Sequence, residues 1–304
     1  MKHLLLISSV FFLVLASCGS EKNKSPYVIA LGIAQDGGVP QAGCTKVCCK
    51  NRWMKSKKEI YVTSLGIVDP NSMEAWIIEA SPDFPFQHKK LSADNEVKGL
   101  FITHAHIGHY AGLMYFGREA LGSQGIKVNV LPRMFDFIST NAPWSQLVDL
   151  MNITLSKINF GDNIVINPTL SVIPIQVPHR DEFSETSAFL IVGPNKTALF
   201  LPDIDKWSKW SINIVEMLLN VDYAFIDATF YTDNEINRDI NEIPHPLVIE
   251  TMDLLSDLPD YQKDKVYFIH MNHTNQMLDA NSDTSRNVLE KGFNIARLGQ
   301  KFHL

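Results

Sequence analysis

Cysteine is scarce in this chain, with four residues in 304, and three of the four fall between positions 44 and 49. Two of those three are neighbours, Cys48 and Cys49, which excludes the disulfide framework that holds small secreted domains together. Positive charge is also in short supply: 27 Lys and Arg face 33 Asp and Glu, for a net −6. A surface built for nucleic acid needs the opposite surplus, so no nucleic-acid partner is expected. Beyond residue 26 there is no apolar run long enough to span a bilayer, no internal repeat and no low-complexity block. A polytopic membrane protein, a fibrous repeat and a disordered tail protein are thereby excluded. Hydrophobic residues make up 45% of the chain, enough for one large domain or two ordinary ones.

The one marked apolar run lies at the start. Lys2 leads into Leu4–Val14, followed by Leu15, Ala16, Ser17 and Cys18. The run is short for a transmembrane helix and ends in small residues, so residues 1–17 read as a signal segment. Leu-Ala-Ser-Cys resembles the bacterial lipobox, which implies cleavage before Cys18 and lipidation of its sulfur. An uncleaved anchor or a buried first strand is the alternative. Residues 18–26 are polar and aperiodic and form a tether; residues 27–304 form the domain. The expected location is therefore the bacterial cell envelope, with the membrane reached through the lipid.

Within 27–304, short runs rich in Val, Ile, Leu and Phe recur. They are 27–34, 75–79, 97–103, 127–132, 170–177, 187–192, 197–201, 223–227 and 266–270. Their length and composition predict buried strands. Helical periodicity predicts helices over 110–121, 144–151, 207–219 and 246–255, with Trp144 and Trp207 read as core residues. Strands with irregularly placed helices suggest sheet layers covered by helices.

Ten histidines are present, and their placement is the most informative feature. The strand Leu100–Thr103 runs into His104, His106 and His109. Three imidazoles delivered together at the end of a buried strand are what a metal site requires. Three further ligand candidates each follow an apolar strand: His179, Asp203 and His270. This pattern resembles the metallo-β-lactamase superfamily, with its His-x-His-x-Asp-His signature. The resemblance implies an αββα sandwich of two packed mixed β-sheets and two metal positions. His104, His106 and His179 would form one, and His109, Asp203 and His270 the other, with Asp203 bridging. Position 108 is Gly where the signature has Asp, so the second position is expected to be poorer by one carboxylate.

Longer stretches look specifically like the coenzyme PQQ synthesis protein B branch. These are His106–Tyr115, Asn141–Ser145, Phe225–Phe230 and Ile269–Asn275. That branch also carries Gly in place of the signature Asp. Its resemblance implies a structural zinc held by Cys44, Cys48, Cys49 and His273, a closed Cys3His site. The adjacent Cys48 and Cys49 depart from the usual spacing, and one disulfide plus a free thiol is the alternative. His245, before the helix at 246, is either an acid or substrate contact in the cleft or a surface residue. His88 and His303 have no companions and are expected on the surface.

Three functions fit these residues. A metal-dependent hydrolase of the superfamily would act on an ester, lactone or phosphodiester through a metal-bound hydroxide, with Asp203, His109 and His245 as catalytic residues. A non-haem iron oxygenase could use the His109, His270 and Asp203 set, with its open positions. The branch's link to PQQ assembly favours that reading, although PQQ assembly is cytoplasmic and this chain looks exported. A ligand-binding lipoprotein without turnover is the third. The expected metal is zinc, with iron or manganese as alternatives in the active centre, and the expected partner is a small-molecule substrate.

Overall fold

The computed structural model describes residues 24–55, 59–235 and 242–304. The expected signal segment, Cys18 and the first part of the tether lie outside the described residues. Among the described residues no helix is long and apolar enough to cross a membrane.

The first half of the chain builds β1 (Tyr27–Gly32), β2 (Ser64–Asp69), β3 (Glu74–Ile78), β4 (Glu96–Phe101), β5 (Ile126–Val130) and β6 (Ile153–Lys157). The second half builds β7 (Ile164–Asn167), β8 (Leu170–Gln176), β9 (Ser187–Val192), β10 (Thr197–Leu201), β11 (Tyr223–Asp227), β12 (Val266–Ile269) and β13 (Asn294–Ile295). The last strand, β14 (Lys301–His303), returns to pair antiparallel with β1. The result is two seven-stranded mixed sheets, ordered β14-β1-β2-β3-β4-β5-β6 and β13-β12-β11-β10-β9-β8-β7.

Strand periodicity explains the layering. Along β1, Val28 and Ala30 enter the core shared by both sheets, while Ile29 and Leu31 enter a second core on the outer face. Phe101 of the first sheet meets Phe189 of the second edge to face at 5.6 Å. Phe84, Leu91 and Met134, from helices over 84–92 and 132–140, cover the outer face of the first sheet. The αββα sandwich expected from the resemblance is the observed fold.

The nine expected strands are all present, trimmed by a few residues at their ends. The helices fit less well. The expected helix at 110–121 is instead a short helix, Ile107–Tyr110, followed by a 3-10 segment, Ala111–Phe116. The cause is a close approach to another loop: Ala80 N–H donates to His109 O (2.8 Å), and Gly112 N–H donates to Ala80 O (2.7 Å). A Cβ at Gly112 would lie 2.3 Å from Ser81 O, so only glycine allows that approach. The expected helix at 207–219 is split into Trp207–Lys209 and Ile214–Leu219, because Trp210 Nε1 is fixed to Gln176 O (2.8 Å) and Asn213 caps the second piece. Cys48 and Cys49 lie in a short helix, Val47–Trp53. His88 is not a surface residue; it is half-buried, 5.4 Å from the ring of Phe84, and burial lowers its pKa. His303 is exposed, as expected.

Candidate metal centre

Seven strand ends meet at one edge of the sandwich, and each delivers a polar side chain. Asp36 follows β1, Glu79 follows β3, and His104, His106 and His109 follow β4. His179 follows β8 and Asp203 follows β10. Asp227 ends β11, and His270 follows β12. Carboxyl ends of parallel strands are where α/β sheets place their ligand sites, and β3, β4, β10, β11 and β12 all have parallel partners. The backbone is strained at this edge: Glu79 (φ 77°) and His270 (φ 64°) sit in the left-handed region that non-glycine residues rarely occupy.

The expected ligands are all brought together. His104, His106 and His179 form one cluster, and His109, Asp203 and His270 belong to another. Sequence reasoning missed the fourth member of the second cluster, Asp36. Its Oδ1 lies 3.0 Å from His109 Nε2 and 3.2 Å from His270 Nε2. The loop after β1 is tied to the His270 loop by Gln35 N–H to Met271 O and Met271 N–H to Ile33 O, both 2.9 Å, which sets Asp36 opposite His270. This corrects the expectation of a poorer second cluster. A Cβ at Gly108 would lie 2.3 Å from Asp36 Oδ1, so the small residue at 108 makes room for a carboxylate arriving from elsewhere.

Asp203 spans the two clusters. Its Oδ2 is 3.0 Å from His109 Nε2 and 3.3 Å from His270 Nε2, while its Oδ1 faces His179 Nε2 at 3.9 Å. Several of these contacts are not hydrogen bonds. Both nitrogens of His109, both of His179 and Asp203 Oδ2 are buried without a hydrogen-bond partner. Atoms that converge on one point without donating to each other are arranged as a ligand shell. Ligand atoms about 2.0–2.2 Å from a tetrahedral ion sit roughly 3.3–3.6 Å apart, close to the spacing seen here.

Charge points the same way. Glu79 and Asp227 are fully buried, and the side chains of Asp203 (3% exposed) and Asp36 (16%) nearly so. Among the described residues none of these four pairs with Lys or Arg; the titratable side chains that face them are imidazoles. Buried carboxylates of this density call for a cation. Burial opposes ionisation of Asp203, yet His270 and His109 hold its carboxyl well below the usual range. Burial lowers His109, but Glu79, Asp36 and Asp203 outweigh it and hold this imidazole well above the usual range. Burial, opposed by Asp203, takes His179 down to about 4, which keeps it in the neutral, ligating form.

Outer contacts orient the ligands, as they do around protein-bound metals. Thr103 Oγ1 meets His104 Nδ1 (2.9 Å), Glu182 Oε2 meets His106 Nε2 (2.9 Å), and Thr229 Oγ1 meets His270 Nδ1 (3.0 Å). Glu79 Oε1 lies 3.4 Å from His109 Nδ1. His245 belongs to the cleft and not to the surface. Its Nδ1 is 2.6 Å from Asp227 Oδ2, and its ring stands 5.4 Å from that of His179. Asp227 is held in turn by Ile204 N–H and Thr229 N–H.

The third cluster is Cys44, Cys48, Cys49 and His273, whose ligand atoms all lie within 4.8 Å of one another. The cysteines are free thiols, not a disulfide, and the adjacent pair reaches one point because both occupy the first turn of one helix. Cys44 and Cys48 sulfurs are 4.0 Å apart, against about 3.8 Å for sulfurs bound to one tetrahedral zinc. Burial, then the neighbouring thiols, push Cys49 up to about 12, so three thiolates need a cation among them. This cluster joins the loop after Asp36 to the loop after His270.

With this geometry established, comparison places the chain. The family model for the beta-lactamase superfamily domain matches residues 76–271. The chain belongs to that superfamily. Among curated superfamily members, coenzyme PQQ synthesis protein B of Pseudomonas putida is 24% identical, over 91% of this chain and 100% of its own length. Zn(2+)-bound PqqB from Methylobacterium extorquens superposes with TM-score 0.75 at 19% identity, covering 91% of this chain and 100% of that one. A diphosphatase of the PhnP family superposes with TM-score 0.59 at 19% identity, covering 92% and 98%. The chain is thus a PqqB-like member of the superfamily, with its metallo-β-lactamase fold.

Proposed function

We propose that the chain is a metal-dependent hydrolase acting on a carboxylic ester, lactone or phosphodiester. The observation that carries this reading is Asp203, which presents one oxygen to each of two adjoining clusters. His104, His106 and His179 would hold one ion, and Asp36, His109 and His270 the other, with Asp203 between them. Zinc suits both; manganese or iron also suits the second, where carboxylates are richer. When bound, such ions polarise the scissile carbonyl or phosphoryl oxygen and lower the pKa of a water towards neutrality.

The remaining work falls to the chain's own residues. In hydrolysis the water oxygen bonds to carbon or phosphorus, the bond to the leaving oxygen breaks, and that oxygen takes a proton. His245 is placed to give it: Asp227 fixes Nδ1, which leaves Nε2 as the nitrogen that can serve the cleft. Asp36 and Asp203 keep the second cluster charge-matched, and Glu79 fixes the ring of His109. The oxygenase reading depended on an open position beside His109, Asp203 and His270, and Asp36 stands there. A diphosphatase on the same fold supports the ester reading, and a zinc-bound PqqB supports zinc.

Cys44, Cys48, Cys49 and His273 would hold a further, structural zinc. We propose as well that Cys18 carries lipid and tethers the domain to the bacterial envelope, a reading supported by the run from Leu4 to Cys18. Zinc-loaded protein lacking residues 1–18 is expected to hydrolyse p-nitrophenyl acetate, a lactone or bis-p-nitrophenyl phosphate, with His104→Ala reduced to background. No turnover of any of these by fully metallated protein would sink the hydrolase reading. Labelling with radioactive palmitate, lost in Cys18→Ser, tests the anchor.

A further inference from the structure

Away from the metal centre, the outer face of the first sheet carries an open groove of about 560 Å³. One wall is the helix over 84–92, continued by Ala93 and Asp94, and the other is the loop over 297–300. Leu31 of β1 lies between them. From Phe86 to Asp94 the first wall runs roughly 12 Å at the rise of a helix. The groove is therefore elongated, and its volume suits a small ligand.

Both walls are fixed. Gln87 is buried in the helix wall, where Nε2 donates to Val62 O (2.7 Å) and Oε1 accepts from Ser81 Oγ (2.8 Å). On the loop wall, Gly299 N–H donates to Ala30 O (2.8 Å), Ala30 N–H donates to Gln300 O (3.0 Å), and Arg297 Nη1 donates to Met277 O (2.8 Å). Within this frame two apolar side chains stay in water. Phe86 is 56% exposed and stacks on Tyr61 at 5.3 Å, and Leu298 is 40% exposed. Apolar groups kept ordered and exposed along a groove mark a surface that something apolar covers. Lys89 and Lys90 line the same groove, and among the described residues neither has an ion pair or a hydrogen bond. The one acid in the lining is Asp94, at the end of the helix wall. Two unpaired ammonium groups beside an apolar channel complement a ligand with an alkyl body and an anionic head.

We propose that this groove binds a medium-chain fatty acid. The alkyl chain covers Phe86, Tyr61, Leu31 and Leu298, and the carboxylate is met by Lys89 and Lys90, turned away from Asp94. A phospholipid brings two chains to a single groove, and a cationic head would face the lysines. None of the lining residues belongs to a metal cluster, so the inference stands apart from the hydrolase reading.

The test is calorimetric titration of the zinc-loaded protein lacking residues 1–18 with hexanoate, octanoate and decanoate, below their micellar concentrations, and with decyltrimethylammonium. Wild type is expected to bind decanoate at least ~10-fold more tightly than hexanoate, since each added CH2 is buried. Decyltrimethylammonium should bind at least ~10-fold more weakly than decanoate. Phe86→Ser should flatten the chain-length dependence, and the double variant Lys89→Glu, Lys90→Glu should reverse the preference between the two heads. All these positions are exposed, so both variants should melt with wild type. Carboxylates also bind zinc, and His104→Ala separates the two sites. Decanoate binding that is lost in His104→Ala and kept in Phe86→Ser places the ligand on the metal centre and overturns the groove. No binding to wild type, a chain-length dependence that survives Phe86→Ser, or a head preference that survives charge reversal overturns it as well.

Discussion

Replacing Gly108 by aspartate would restore the carboxylate of the superfamily signature, and here it should damage the second cluster. A Cβ at 108 meets Asp36 Oδ1 at 2.3 Å, Cγ at 2.6 Å and Cα at 2.7 Å. The Cα is backbone, so no rotamer of Asp36 removes the whole conflict. Overpacking of this kind costs typically ~1–3 kcal/mol, and a second carboxylate forced against the first adds like-charge repulsion. At about 2–4 °C per kcal/mol for a domain of this size, Gly108→Asp should melt roughly 4–10 °C below wild type. Gly108→Ala, which clashes without adding charge, should fall between them. Thermal unfolding of zinc-loaded proteins, with metal measured on the same samples, provides both readouts. Suppose Gly108→Asp melts at or above wild type and keeps all its metal. Asp36 would then be free to leave and the signature carboxylate to replace it, which refutes the reasoning.

The remaining expectations concern the neighbours of that cluster. Asp227→Asn should lower kcat by ~10- to 1000-fold with little change in KM, and His245→Ala should do the same, because each leaves the proton donor absent or misoriented; steady-state kinetics separates the two constants. Glu79→Gln should weaken the second-cluster metal by ~10–100-fold, measured by competition with a chromophoric chelator. Cys48→Ser should release one zinc and lower the melting temperature. It should also weaken the second-cluster metal, because its cluster ties the Asp36 loop to the His270 loop; equilibrium dialysis reads both losses.

The first cluster was legible because each ligand announces itself: an apolar strand ends and a histidine follows. The same rule gave Asp203 and His270. Asp36 follows a strand in the same way, but it lies in Gln35-Asp36-Gly37-Gly38, where an acid beside glycines reads as a turn. The signal available was the gap at Gly108, since a missing carboxylate invites a search for another strand-end acid. Glu79 and Asp227 ended expected strands without acquiring a role, because only the folded sheet edge shows which strand ends meet. Strands escaped notice for different reasons. The second, Ser64–Asp69, contains Gly66, whose Cβ would lie 2.9 Å from Ile29 and Leu91. The pairs at 294–295 and 301–303 are too short for a periodic pattern. The helix at 110–121 failed because the His109 carbonyl and the Gly112 N–H bond outward to Ala80, which periodicity does not report.

Metal stoichiometry of wild type, Asp36→Ala and Asp203→Ala, all lacking residues 1–18 and purified without chelators, tests the central claim most directly. Three ions per wild-type chain are expected, two in Asp36→Ala and one in Asp203→Ala, since Asp203 serves both clusters of the centre while the Cys3His cluster stands apart. Equal loss in the two variants, or a wild-type chain that binds no more than one ion outside the Cys3His cluster, would contradict it.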